Sequence, residues 1–94
     1  MELSERYIKQ FEGEGFANVY EWQDKAGTEY PVHQHKGRVS LFVTDGSITY
    51  DFEGEKKEVL PGQRFDVPVG TTHSAVVGPQ GCIMIVGEEF GGDS

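Results

Sequence analysis

The chain has a single cysteine, Cys82, which rules out an internal disulfide. That fits a reducing compartment, and the cytoplasm is the expected location. Long apolar runs are missing too. Nothing approaches the ~18 apolar residues that a membrane-crossing helix needs. The start, Met1-Glu2-Leu3-Ser4-Glu5-Arg6, has no apolar stretch behind a basic segment, so no signal peptide is expected. Basic residues are scarce: 8 Lys and Arg stand against 16 Asp and Glu, a net charge of −8. Such a chain repels phosphate backbones, so neither nucleic acid nor a membrane is an expected partner. No Ser/His/Asp triad, phosphate-cradling glycine loop or catalytic carboxylate pair stands out. Repeats, linkers and low-complexity tracts are absent, and 94 residues suffice for one core. A single domain over residues 1–94 is expected.

Turn formers and short apolar runs are plentiful. There are 13 Gly and 4 Pro, and 12% of the residues are aromatic. Leu3, Tyr7, Ile8 and Phe11 fall on one helical stripe, with Ser4 as a candidate N-cap and Gly13 and Gly15 as stops. An N-terminal strand is the alternative there. From Phe16 onward the pattern is strand and turn. Expected strands cover 18–24, 28–35, 38–44, 47–52, 57–60, 64–67, 73–77 and 82–86. Asp45-Gly46 reads as a hairpin turn, and Pro79-Gln80-Gly81 as another turn. Residues 91–94 read as a flexible tail. About eight short strands at this spacing predict an all-β sandwich or barrel with a short N-terminal helix.

The chain has only three histidines: His33, His35 and His73. Side chains two apart on a strand leave the same face, so His33 and His35 can reach one point. His73 opens a later strand just beyond a Gly/Thr turn. Neutral imidazole is the commonest metal ligand, and three of them suit Zn, Fe, Cu or Ni. The other reading is that they are packing or surface residues.

The spacing around these histidines resembles that of the cupins. The first cupin motif is G-x5-H-x-H-x3,4-E-x6-G, and Gly27, His33, His35, Val39 and Gly46 reproduce its offsets (residues 27–46). The second is G-x5-P-x-G-x2-H-x3-N, matched by Gly62, Pro68, Gly70, His73 and Val77 (residues 62–77). Two departures stand out. Val39 occupies the place of the usual carboxylate ligand, and Val77 that of the usual Asn. The resemblance implies a double-stranded β-helix, the jelly-roll barrel of the cupins. It also implies one divalent transition metal (Fe, Zn, Mn, Ni or Cu) on His33, His35 and His73. Some cupin dioxygenases use three histidines alone. The resemblance further implies a homodimer and a small-molecule ligand or substrate.

Strand parity gathers Val39, Leu41 and Val43 on one face and places Ala75 and Val77 on the face of His73. These are core positions first and pocket walls second. The expected pocket lining is Val39, Leu41, Phe65, Val77 and Met84, with Tyr50 as a further candidate. Tyr20 and Trp22 read as core or dimer contacts ahead of stacking platforms. Glu29 reads as a rim carboxylate ahead of a distant acid near the site, Lys36 and Arg38 as solvated cations ahead of a basic rim for an anionic substrate, Gln34 as pointing away from the metal, and Cys82 as a buried small hydrophobe. Three functions are compatible with this set. They are a metal-dependent oxygenase, a metal-dependent isomerase or lyase, and a non-catalytic domain that binds or senses a small ligand or sugar. The isomerase would want a general base, and no residue offers itself as one in the sequence.

Overall fold

Leu3, Tyr7, Ile8 and Phe11 do form one helical face. In the computed structural model, which describes residues 2–34 and 36–89, they lie on helix α1, Leu3–Gly13. The expected N-cap, Ser4, sits inside the helix. Arg6 N–H already reaches the Glu2 carbonyl at 3.1 Å, which closes the first turn earlier and makes Glu2 the cap. His35 and the expected tail at 91–94 lie outside the described residues.

Six strands follow: β1 Asn18–Asp24, β2 Glu29–His33, β3 Val39–Phe52, β4 Glu55–Val59, β5 Arg64–Val67 and β6 His73–Glu88. All pairings are antiparallel. β3 and β6 are long and pair with each other along most of their length. Their halves belong to different layers. The first half of β3 and the second half of β6 are flanked by β5 and β1. The other two halves are flanked by β4 and β2. Eight expected strands thus become six, because two of them are continuous through a corner. This is a jelly roll, with the barrel interior between the two layers.

That corner overturns the hairpin expected at Asp45-Gly46. β3 does not reverse there. Asp45 pairs with Ile83 and Gly46 with Cys82, and the register shifts on either side of them. Bulges of this kind bend a strand instead of ending it. Gly46 has φ +71°, and a Cβ on it would run into the carbonyl of Gly81. The two chains therefore cross at contact distance where only glycine fits. The turn expected at Pro79-Gln80-Gly81 is the facing part of the same corner, inside β6. The true two-residue hairpin turn is Glu53-Gly54, between β3 and β4, with both residues at positive φ.

Alternation along the strands sorts two apolar clusters. Val39, Leu41, Val43, Ile48, Tyr50, Ala75, Val77, Cys82, Met84 and Val86 point into the barrel, and Val59 and Val67 complete that core. Phe42 and Ile85 point outward and meet Phe11 and Phe16 under α1. Tyr7 stacks on Phe42 with ring centroids 3.6 Å apart. The helix is also tied by charge. Arg64 on β5 donates to both oxygens of Glu14 at 2.7 Å, and its guanidinium lies 4.9 Å from the Phe11 ring centre. Among the described residues no helix is long and apolar enough to cross a membrane.

Candidate metal centre and cavity

β2 ends on His33 and β6 begins on His73, and the antiparallel register sets these two residues opposite each other. Their ring centroids are 4.6 Å apart. Each imidazole is anchored through the same nitrogen. His33 Nδ1 lies 2.6 Å from the Pro31 carbonyl oxygen, and His73 Nδ1 lies 2.9 Å from that of Thr71. A carbonyl oxygen can only accept, so Nδ1 carries the proton and donates it. In the neutral form of either ring the lone pair is then on Nε2. Anchoring of the second nitrogen is how metal-binding histidines are normally oriented. His73 is buried, with Tyr50 and Phe52 ring centroids at 5.8 and 5.5 Å. Burial holds its pKa below the usual histidine range. Its bond to Thr71 opposes that shift, and neighbouring His33 reinforces it. A neutral imidazole is the form that binds metal.

His35 lies outside the described residues, so the structure brings together two of the three expected ligands. Among the described residues no cluster of three His, Cys, Asp or Glu side chains could hold a metal ion. Gln34, just before His35, donates to Thr72 Oγ1 at 2.9 Å, tying the segment of the first two histidines to the turn that delivers His73.

Beside His33 opens a cavity of about 450 Å³, a size that suits a small ligand. Of the five expected lining residues, Val39, Leu41 and Met84 form its walls. Phe65 instead packs on Tyr50 and Phe52, at 5.1 and 5.6 Å between ring centroids, and Val77 is buried in the core. Tyr50 and Ala75 also face the cavity. So do Tyr20 and Trp22, for which the sequence favoured core or dimer contacts over stacking platforms. Trp22 is half exposed, so its ring stands at the edge of the cavity instead of sealing the core. Glu29 is exposed and borders a separate groove on the outer face. Arg38 is turned away, 4.6 Å over the Phe16 ring and 3.9 Å from Glu89.

The carboxylate of the cavity was not anticipated. Glu88 is buried and faces the cavity from the end of β6. Asn18 Nδ2 donates to one carboxylate oxygen at 3.2 Å and the Tyr20 hydroxyl to the other at 3.1 Å. Burial, and then the charge of Glu88, push the Tyr20 pKa upward, so its hydroxyl remains a donor. The signal for Glu88 was parity. Met84, Val86 and Glu88 alternate on the inward face, and the expected strand stopped at Val86, two residues short.

No family model matches the chain, and no curated protein matches it. Solved structures do. An RmlC-like cupin from Shewanella frigidimarina is 28% identical with a TM-score of 0.64, over 77% of this chain and 64% of that one. KdgF from Halomonas sp. is 27% identical with a TM-score of 0.58, over 72% and 64%. An uncharacterized protein with a double-stranded β-helix domain from Klebsiella pneumoniae is 24% identical with a TM-score of 0.67, over 85% and 74%. The fold is the cupin fold. The chain spans about two thirds of the length of these cupins, 64% of the first two.

The cupin spacing has a visible cause here. Gly27, which opens the first motif, donates its N–H to the Val77 carbonyl at 3.1 Å, and Val77 donates to Thr28 at 2.8 Å. Near the other ends, Gly62 donates to Val43 at 2.8 Å and Val43 to Gln63 at 3.1 Å. Each motif is thus pinned to the other near both of its ends. Inserting one residue would put a backbone bond out of register.

Proposed function

We propose that this chain binds one divalent transition metal through His33, His35 and His73 and acts on a small organic molecule held in the adjoining cavity, as an oxygenase. The observation that carries this reading is the facing pair His33 and His73, each anchored through Nδ1 to a backbone carbonyl, which in the neutral ring puts the lone pair on Nε2. When bound, such a metal supplies Lewis acidity and open positions for water, O2 or a bidentate substrate. The chain's own residues orient the ligands and exclude water. Val39, in the place of a carboxylate, keeps that wall apolar and leaves the metal its full charge.

A second reading, a metal-dependent isomerase or lyase, is favoured by Glu88. It puts in the same cavity a carboxylate able to take a proton. The protein is proposed to work in the cytoplasm as a homodimer. Exposed Val32 and Val76, which border one groove on the outer face, offer an apolar patch for a second copy.

The test is elemental analysis of untagged protein after growth with Fe, Zn, Mn, Ni or Cu. One metal per chain is expected, and its loss in the His33→Ala, His35→Ala and His73→Ala variants. Substoichiometric metal under every supplement overturns the site. Anaerobic Fe(II) loading followed by O2-uptake screening across thiols, diketones and phenols then tests the oxygenase. Metal binding without O2 uptake, but with solvent-proton exchange into a carbonyl substrate, selects the isomerase. Ligand binding without turnover selects a binding domain.

A further inference from the structure

The cavity has a chemical character that the metal does not explain. Glu88 is only 6% exposed, and both of its donors, Asn18 and Tyr20, are neutral. Among the described residues no Lys or Arg lines the cavity, and the ion pairs of Arg38 and Arg64 run to Glu89, Glu14 and Asp66. A carboxylate accepts at about four positions, and the two neutral donors leave room for a ligand's own donors. Burying a carboxylate without a counter-charge is costly.

Around this carboxylate the cavity presents aromatic rings. Tyr20, Trp22, Tyr30 and Tyr50 all line it. Tyr20 and Trp22 meet edge to face at 6.2 Å and 83°. Two of the rings are fixed by a second carboxylate. Trp22 Nε1 donates to Asp24 Oδ1 at 2.9 Å, and the Tyr30 hydroxyl donates to Asp24 Oδ2 at 2.6 Å. Burial, then the bond to Asp24, push the Tyr30 pKa up to about 12, so that ring stays a neutral phenol. Ring faces attract cations, and Trp does so best. The chain as a whole carries a net charge of −8, which draws cations and repels anions.

We propose that the cavity takes a small organic cation, a protonated amine or quaternary ammonium on an apolar body, with Glu88 facing the charge and the Tyr20 and Trp22 rings beside it. This rests on the cavity being the ligand site, as proposed above, and not on the metal. A sugar or other neutral polyol would meet one carboxylate and mostly apolar walls. An anion would meet Glu88 with no cation to offset it.

The test is calorimetry on the full chain, metal-stripped and zinc-loaded, with benzylamine, benzyltrimethylammonium, benzyl alcohol and benzoate. Both cations should bind roughly tenfold or more tighter than benzyl alcohol, and benzoate weakest. Glu88→Gln should remove the preference, leaving benzylamine within roughly twofold of benzyl alcohol. Half-exposed Trp22 is a safe second site. Trp22→Leu should weaken both cations roughly threefold or more while the melting temperature holds. Benzyl alcohol or benzoate binding as tightly as the cations overturns the proposal, and so does a preference that survives Glu88→Gln in folded protein. Should that variant not fold, unchanged cation affinity in Trp22→Leu overturns it. Zinc uptake with no cation binding sinks this proposal and spares the metal reading. Cation binding in protein that takes up none of Fe, Zn, Mn, Ni and Cu does the reverse.

Discussion

Replacing Gly46 by Ala should damage this fold far more than replacing Gly27 by Ala, although both end the same motif and both have positive φ. The values are +71° and +75°. A left-handed backbone costs a non-glycine residue about 1–2 kcal/mol at either position. The surroundings differ. A Cβ at Gly27 meets nothing within 4 Å, whereas one at Gly46 overlaps the Gly81 carbonyl on the facing strand. The obstacle is backbone in the middle of β6, so no rotamer change relieves it. Overpacking of this kind adds roughly 1–3 kcal/mol. The totals are about 1–2 kcal/mol for Gly27→Ala and about 2–5 kcal/mol for Gly46→Ala. A chain of 94 residues has roughly 5–14 kcal/mol in all. At roughly 4–8 °C per kcal/mol, Gly46→Ala should melt well below Gly27→Ala or fail to fold. Thermal and urea unfolding followed by circular dichroism decide it. Equal losses in the two variants would refute the corner, because a solvent-exposed hairpin at Asp45-Gly46 would cost only the φ term.

Phe11→Ala should cost about 3–5 kcal/mol in urea unfolding, because Phe11 is fully buried against Phe16, Phe42 and Ile85. The bond from Arg64 holds the Glu14 pKa down at about 2, against an ordinary 4.5. A pKa lowered on folding stabilises above the unfolded value, and that contribution drains away between pH 4.5 and pH 2. The pair is partly exposed, so Glu14→Gln should cost no more than about 1 kcal/mol at pH 7, and its deficit should shrink by pH 2.5. A deficit independent of pH would contradict the ion pair. His33→Ala and His73→Ala should both abolish metal uptake. In metal-stripped protein only His73→Ala should also lower the melting temperature, since His73 is 1% exposed and packed against Tyr50 and Phe52.

How much could be read in advance follows from how local each signal is. β1 and β5 were predicted to the residue, because each is a short run of strand formers between turn residues. The long strands were cut at Asp45-Gly46 and at Pro79–Gly81. Those segments do need special backbone angles, but a glycine at positive φ serves a bend or a reversal equally well. Which one forms depends on the facing strand some 35 residues away, here through the Gly46–Gly81 contact. Periodicity does not see that distance. The histidine pair was legible for the opposite reason. His33 and His73 are placed by the motif spacings, and those spacings are held by backbone bonds between Gly27, Thr28 and Val77 and between Val43, Gly62 and Gln63.

Glu88 shows what such local reasoning misses, and it bears on the function. The first cupin motif usually places a carboxylate at the position of Val39, and in this chain that position is apolar. Yet Val39 and Glu88 are direct partners across the β3–β6 ladder, and both face the cavity. Partners of this kind stand with their Cβ atoms about 5 Å apart. The cavity has therefore not lost its carboxylate. It holds one on the neighbouring strand, 49 positions later in the chain, buried and held by Asn18 and Tyr20 of β1. A ligand on the metal and a free acceptor beside it do different work. The first would reduce the charge of a bound metal, while the second would leave it intact and would meet a bound molecule directly. The Glu88→Gln variant separates the two roles. Metal content should be unchanged by it while selectivity among bound molecules changes. Val39→Glu should place a second carboxylate beside Glu88 in the same cavity and cost stability through like-charge repulsion in a buried site. If Glu88→Gln instead emptied the metal site, Glu88 would be a ligand, and the three-histidine reading would give way to one with a protein carboxylate.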